Sequence, residues 1–298
     1  MVNKEFLEKH EEDIMLTNET IQDLNLNNLK LKKIFFDECS LINLEWKEIE
    51  CTNLFWKGGK IEEVNFSKCR FIESFFQDMV LENVDFTKSF FKTEELDYRA
   101  TFSDSKFDGV ELINIGMRYS EFINCSLVGM SSSLGIFESC KFSSSCLENI
   151  VLDGTAIWGD IIEECNFNNS ILKQASFQDL EIKNSNFCNS SFISYGIYES
   201  NLNNVNLNRV KVDLMLAEQS RFIDCDFNGA VIFESDFEEC EFKNINVENT
   251  SFEQVTFLEC DLKDIDFTKA IFRNVKFEQC NVDGALFNDI QKKECSFT

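Results

Sequence analysis

One feature constrains this chain more than any other: a large apolar residue recurs at every fifth position. In the stretch RFIDCDFNGAVIFESDFEECEF, residues 221–242, it falls on Phe222, Phe227, Ile232, Phe237 and Phe242. An amphipathic helix needs apolar residues at i, i+3, i+4 and i+7, and a half-buried strand needs strict alternation, so a sustained period of five fits neither. Followed from Phe102 to Phe297 the beat occupies 40 positions and is apolar at all but Ser132 and Lys292. Followed from Phe91 back to Ile21 it occupies 15 positions without exception. An apolar content of 44% supplies about 24 of those 55 positions by chance, whereas 53 are apolar, and 26 of the 32 Phe lie on the beat. A chain patterned in this way is a repeat structure, each short unit stacking on its neighbours.

Two residues before each of these positions stands a small or medium one: Cys225, Ala230, Ser235, Cys240, Ile245, Thr250, Val255, Cys260. Ten of the 13 Cys fall in this slot, among them Cys39, Cys69, Cys125, Cys140, Cys165, Cys280 and Cys295. A free thiol packs as a small hydrophobe. The odd count and the inward stacking predict free thiols in a reducing compartment, not a disulfide framework. Phe222, Phe227, Phe237, Phe242, Cys225 and Cys240 are accordingly expected in the core.

The units CDFNG, SDFEE, CEFKN, CDLKD, IDFTK and AIFRN resemble the pentapeptide-repeat family, and the resemblance extends from Ile21 to Phe297. It implies an all-β fold, a right-handed quadrilateral parallel β-helix in which each unit is one side and four units make a turn. A period of 20 follows, and the sequence shows it. Every twentieth residue from Gly109 reads Gly109, Gly129, Asn149, Asn169, Asn189, Arg209, Gly229, Asn249, Lys269, Asp289, mostly residues that tolerate positive φ. The column Asp104, Asn124, Ser144, Glu164, Asn184, Asn204, Asp224, Asn244, Asp264 is polar throughout. Bare turns without projecting loops are therefore expected over 102–298.

Phe91 to Phe102 spans eleven residues where the beat requires ten, so 92–101 holds a phase break, either a bulge that re-phases the repeat or a projecting recognition loop. The tract GMSSSLG, residues 129–135, suggests a second irregularity around Ser132. Residues 1–20 lack the beat and read as a short acidic amphipathic helix with Phe6, Leu7, Ile14 and Met15 near one face, capping the open end of a solenoid at 21–298. They hold too few consecutive apolar residues for a signal peptide or membrane span, which predicts a soluble cytoplasmic chain. At the other end the beat persists to Phe297, and a homodimer through the last turns, at Phe277, Val282, Phe287 and Phe297, would cover that end.

The formal charge is −25, of which residues 1–20 carry −4. About 14 turns at ~4.8 Å make a stack of roughly 65 Å. B-form DNA carries about 38 charges over that length, so the repeat has over half the net charge of a duplex. This excludes direct nucleic-acid binding, for which no basic stripe exists. It leaves two readings: mimicry of nucleic acid toward a protein that binds duplexes, or an acidic surface that keeps a repetitive chain soluble. Glu234, Asp236, Glu238, Glu239 and Glu241 cluster within eight residues, and a period-20 column runs Asp179, Glu199, Gln219, Glu239, Glu259, Gln279.

Catalysis has little support. The single histidine, His10, lies outside the repeats, and no phosphate-binding loop, dinucleotide fingerprint or zinc spacing occurs, so no catalytic, cofactor or metal site is expected. Cys146 and Cys188 lie off the inward positions without a basic neighbour to lower their pKa. The pairing of Phe with Cys in FIDCDF, FEECEF and FEQC resembles the Qnr quinolone-resistance proteins of the family. That resemblance implies a non-enzymatic DNA mimic that binds DNA gyrase or topoisomerase IV through the acidic face of Glu199, Glu234, Asp236, Glu238, Glu239, Glu241 and Glu259. In several relatives projecting loops matter for quinolone protection, and the main run here lacks them. The other class is a protein-interaction scaffold with an unknown partner.

Overall fold

Each strand pairs in parallel with the one a turn away, and the usual register is 20 residues: Phe222 faces Phe242 and Phe237 faces Phe257. The structure, a computed structural model, describes residues 12–27, 30–93, 97–289, 291 and 295–298. It is a parallel β-solenoid of about 14 turns, divided into two compact units, Met1–Leu147 and Glu148–Thr298.

The five-residue unit explains the turn. The central residue and the one two before it point inward, as in Phe227 with Cys225 and Phe242 with Cys240, all buried. The remaining three point outward, and the last of them makes the corner by adopting positive φ: 53° at Asp224, 71° at Gly229, 46° at Glu234 and 51° at Glu239. A left-handed L-residue costs roughly 1–2 kcal/mol. The corner offsets this with a backbone bond to the next turn, Asp224 N–H to Lys243 O (2.9 Å), Glu234 N–H to Glu253 O (3.0 Å) and Glu239 N–H to Leu258 O (2.9 Å). The Gly109 and Asp104 columns are two of these corners. The other two are left-handed as well, even at Tyr119, Leu134 and Leu214, so ladder pairing overrides residue preference there.

Inside, aromatic rings stack along the axis of the second unit. Phe222 and Phe242 lie 4.9 Å apart at 7°, and Phe237, Phe257 and Phe277 follow one another at 5.1 and 5.2 Å. The small slot is more than a spacer. Ser220 Oγ donates to Glu218 O (2.9 Å) and accepts from Ser200 N (3.1 Å); Cys225 Sγ donates to Leu202 O at 3.5 Å. Hydroxyls and thiols here bond backbone groups that the corner leaves open. All thirteen Cys are free.

The first unit corrects the expected helical cap. Within residues 1–20, Glu12–Thr17 forms a strand parallel to Lys30–Glu45, with Ile14 facing Ile34 and Leu16 facing Phe36. Ile14 and Leu16 are buried while Met15 is 68% exposed. Their alternation suits a strand, and Leu16 stands one beat before Ile21, so the repeat starts earlier than the sequence reading placed it. Residues 1–11, with His10, lie outside the described residues. The strands Lys30–Glu45 and Glu50–Asn65 each run 16 residues over a core where Phe36 stacks on Trp56 at 4.2 Å.

The phase break is a register shift. Ile72 faces Lys92, Gln77 faces Arg99, Met79 faces Ala100 and Phe102 faces Phe122. Two residues are thus added before Arg99 and one is removed at the next corner, where no counterpart of Asp78 exists. Residues 94–96, on which the expected bulge or loop falls, lie outside the described residues. No irregularity occurs at 129–135: Ser132 is buried and faces Leu112 in the ordinary register, because serine fits the inward slot there.

Candidate protein-binding face

In the second unit each turn has four faces, centred in chain order on Phe222 and Phe242, on Phe227 and Phe267, on Ile232 and Phe252, and on Phe237 and Phe257. The fourth face carries the largest net negative charge, because its acids meet fewer bases than those of the other faces. Along its flat, Leu216, Asp236 and Thr256 align in one row and Glu218, Glu238 and Leu258 in another, with Glu278 following Leu258. Its far corner is the column Asp179, Glu199, Gln219, Glu239, Glu259 and Gln279, all with φ between 49° and 55°.

The fourth face therefore presents eight carboxylates against one base, Lys276. The third face carries four acids, Asp153, Asp213, Glu234 and Glu253, against Lys173, Lys211 and Arg273. Glu239 accepts a bond from Gln219 Nε2 at 2.9 Å. Among the described residues no ion pair reaches the other seven. Glu218 and Glu238, opposed across one ladder step of about 4.8 Å, sit inside the ~8 Å screening length of physiological salt. Their repulsion is held in place by the fold, which leaves the face primed to attract cations.

The structure thus divides the predicted acidic cluster. Asp236, Glu238 and Glu239 share the fourth face with Glu199 and Glu259. Glu234 stands on the edge between the third and fourth faces. Glu241 is on the first face, where Arg221 Nε lies 2.7 Å from its Oε2. This pair is invisible to local spacing, because Arg221 belongs to the preceding turn. The predicted cluster also omits Glu218 and Glu278, which a period-20 reading begun one residue earlier picks out.

Of the residues expected at the dimer contact, Phe277 is buried, Val282 and Phe287 are half-buried, and Phe297 is 46% exposed while stacking on Phe277 at 5.0 Å. Phe222, Phe227, Phe237, Phe242, Cys225 and Cys240 are all buried. Burial pushes the thiols of Cys69 and Cys225 up to about 12 and that of Cys125 to about 11, so they are protonated at neutral pH. Cys146 and Cys188 are half-buried. Among the described residues no group of three or more His, Cys, Asp and Glu is placed to hold a metal ion, and no helix is long and apolar enough to cross a membrane.

Comparison with known proteins matches residues 230–298 to the family described as pentapeptide repeat region. The match covers the last part of the chain, and the same five-residue register continues through the turns before it. No curated protein matches it. Among solved structures, full-length QnrB1, a plasmid-mediated fluoroquinolone resistance protein, is 15% identical with a TM-score of 0.42, over 58% of this chain and 96% of that one. HetL, a pentapeptide repeat protein involved in heterocyst differentiation regulation from the cyanobacterium Nostoc, is 14% identical with a TM-score of 0.25, over 90% of this chain and 87% of that one.

Proposed function

We propose that the chain is a non-enzymatic binding protein whose fourth face stands in for the phosphates of duplex DNA, that its partner is DNA gyrase or topoisomerase IV, and that quinolone protection follows. The observation that carries this reading is the imbalance of eight carboxylates over one base on a single face. A protein saddle built to hold a duplex is basic, and a fixed acidic lattice attracts it over several ångströms. The Qnr-like pairing of Phe and Cys in the sequence supports the same partner.

The reading includes a cytoplasmic setting, supported by thirteen free thiols. It also includes a homodimer through Phe277, Val282, Phe287 and Phe297, supported by the exposure of Phe297. Light scattering that finds a monomer at micromolar concentration defeats the dimer. A general interaction scaffold is the second reading, favoured by the exposed aliphatic residues of the third face, which a duplex does not resemble.

The test is supercoiling by purified gyrase over a titration of this protein, with and without a quinolone. Inhibition or protection that disappears when Glu218, Glu238 and Glu239 are changed to Lys supports the mimic. No effect at a large molar excess over gyrase leaves the scaffold.

A further inference from the structure

The edge between the third and fourth faces changes character in two successive turns. At most turns of the second unit the strand stops at this edge, but Ser191–Tyr198 and Lys211–Glu218 cross it as eight-residue strands. They pair on both sides of the corner residues Ser194 and Leu214. The cause lies beneath: Tyr195 and Met215 occupy the inward slot that holds Ala175 and Ser235 in the flanking turns, and both are buried.

What this edge presents outward is an apolar groove crossed by Lys211 and Asp213, and then an acidic row. Ile193 and Phe233 flank Asp213 in one row of the third face, beside Val231. Leu214 is 51% exposed at the corner and Val231 46%. Leu216 follows on the fourth face, and the row of Glu218 and Glu238 lies beyond it. A shallow groove runs between Ile193, Lys211, Asp213, Val231 and Phe233. Single exposed aliphatic residues are ordinary, whereas a contiguous patch with a charged margin marks an interaction site.

Charge selects the occupant. An anionic membrane surface is repelled by the carboxylate rows, and a second copy of this chain brings the same rows with it. A helix with Leu or Phe on one side and Lys or Arg on the other matches the sequence of surfaces across the edge, its apolar stripe covering the groove and its bases reaching the Glu rows. We propose that this edge, from Ile193 to Glu238, docks a cationic amphipathic segment of a partner protein. The inference rests on the reading that the fourth face binds a protein, and not on that protein being a topoisomerase.

Two labelled helical peptides of equal length and equal positive charge are the probes, one with a Leu and Phe face and one with Ser and Gln in those places. Anisotropy with the full chain near physiological salt should show the apolar-faced peptide binding about tenfold tighter, the factor expected from burying one large apolar side chain. Leu214→Ser with Phe233→Ser should abolish that advantage, as should Val231→Ser in part. Glu218→Gln with Glu238→Gln should weaken both peptides alike. All of these residues point outward, and an unchanged far-ultraviolet circular dichroism spectrum verifies the fold of each variant. Equal affinity of the two peptides, or an advantage that survives Leu214→Ser with Phe233→Ser, overturns the proposal. Sedimentation showing that this double change converts a dimer to a monomer also overturns it, since a second copy then covers the edge. A negative gyrase assay beside the expected peptide result removes the topoisomerase and leaves the docking edge; the converse removes the edge alone.

Discussion

The second and fourth faces of the second unit are both polar and both acidic, yet their polar groups do different things. On the second face Asn166, Asn186, Asn206, Asp226, Asn246 and Asp266 occupy the position before the central residue. Each accepts the backbone N–H two residues on, at 2.9 to 3.2 Å. That bond bends the unit into a turn. The fourth face has Gly196, Leu216, Asp236 and Thr256 in the same position and its units stay extended, as in Asp236–Glu238 and Thr256–Leu258. Its carboxylates, all but Asp236 placed after the central residue, make no side-chain bond among the described residues apart from that of Glu239. One face uses its polar side chains to build the turn; the other leaves most of them unbonded among the described residues. The formal charge of −25 does not distinguish the two uses.

The comparison supposes one core beneath both faces, and the largest expected effect tests that. Phe227→Ala under the second face and Phe237→Ala under the fourth should each cost about 3 to 5 kcal/mol by denaturant unfolding, through the cavity left among the inward side chains. A cost near 1 kcal/mol at Phe237 would mean that the fourth face is supported differently, and the contrast between faces would no longer be one of outward residues alone.

Much of this was legible in the sequence because the beat is a direct image of the backbone. Phe222 to Phe242 and their small partners could be placed inward from spacing alone, and the corner columns of Gly109 and Asp104 followed from the period of 20. The corners at Leu134 and Leu214 were not legible, since interturn bonding, a long-range effect, holds residues there against their preference. The N-terminal strand is not legible because Ile14 and Met15, with Phe6 and Leu7, read as one face of a helix in a segment rich in Glu. The candidate site was legible in part. Glu239 and Glu259 share a period-20 column, but Arg221 meets Glu241 only after the chain has gone once around.

A smaller effect is expected from Tyr195, whose hydroxyl is buried and has no hydrogen-bond partner among the described residues. Tyr195→Phe should raise stability by about 1 kcal/mol, because an unsatisfied buried hydroxyl loses its hydration and gains nothing. Calorimetry that shows a loss instead would mean the hydroxyl has a partner in solution, and the packing under the third and fourth edge would need a polar group in it.

Outward substitutions sharpen the contrast further. Asn206→Ala should cost about 1 kcal/mol, since Asn206 Oδ1 is the acceptor for the Asn208 N–H, at 2.9 Å. Glu238→Ala should stay within about 0.5 kcal/mol, as a surface change away from any cap or turn. Equal costs in urea titrations would dissolve the distinction between a structural polar face and a free one.

The smallest effect is a pH dependence. The Thr268 hydroxyl, at 2.6 Å, and its N–H, at 2.9 Å, hold the Asp266 carboxyl below its ordinary range. A depressed folded value means that the ionised form is favoured by folding. The contribution is therefore present above the ordinary aspartate range, about pH 4, and is lost as pH falls through the folded value. Because the group is exposed, water screens it and the contribution is a fraction of a kcal/mol. Melting temperatures taken from pH 7 downward should fall less steeply for Asp266→Asn than for the native chain below about pH 4. Parallel curves would show that the Asp266 turn forms equally well without its charge, and that the acids of the second face, like its asparagines, serve as neutral acceptors.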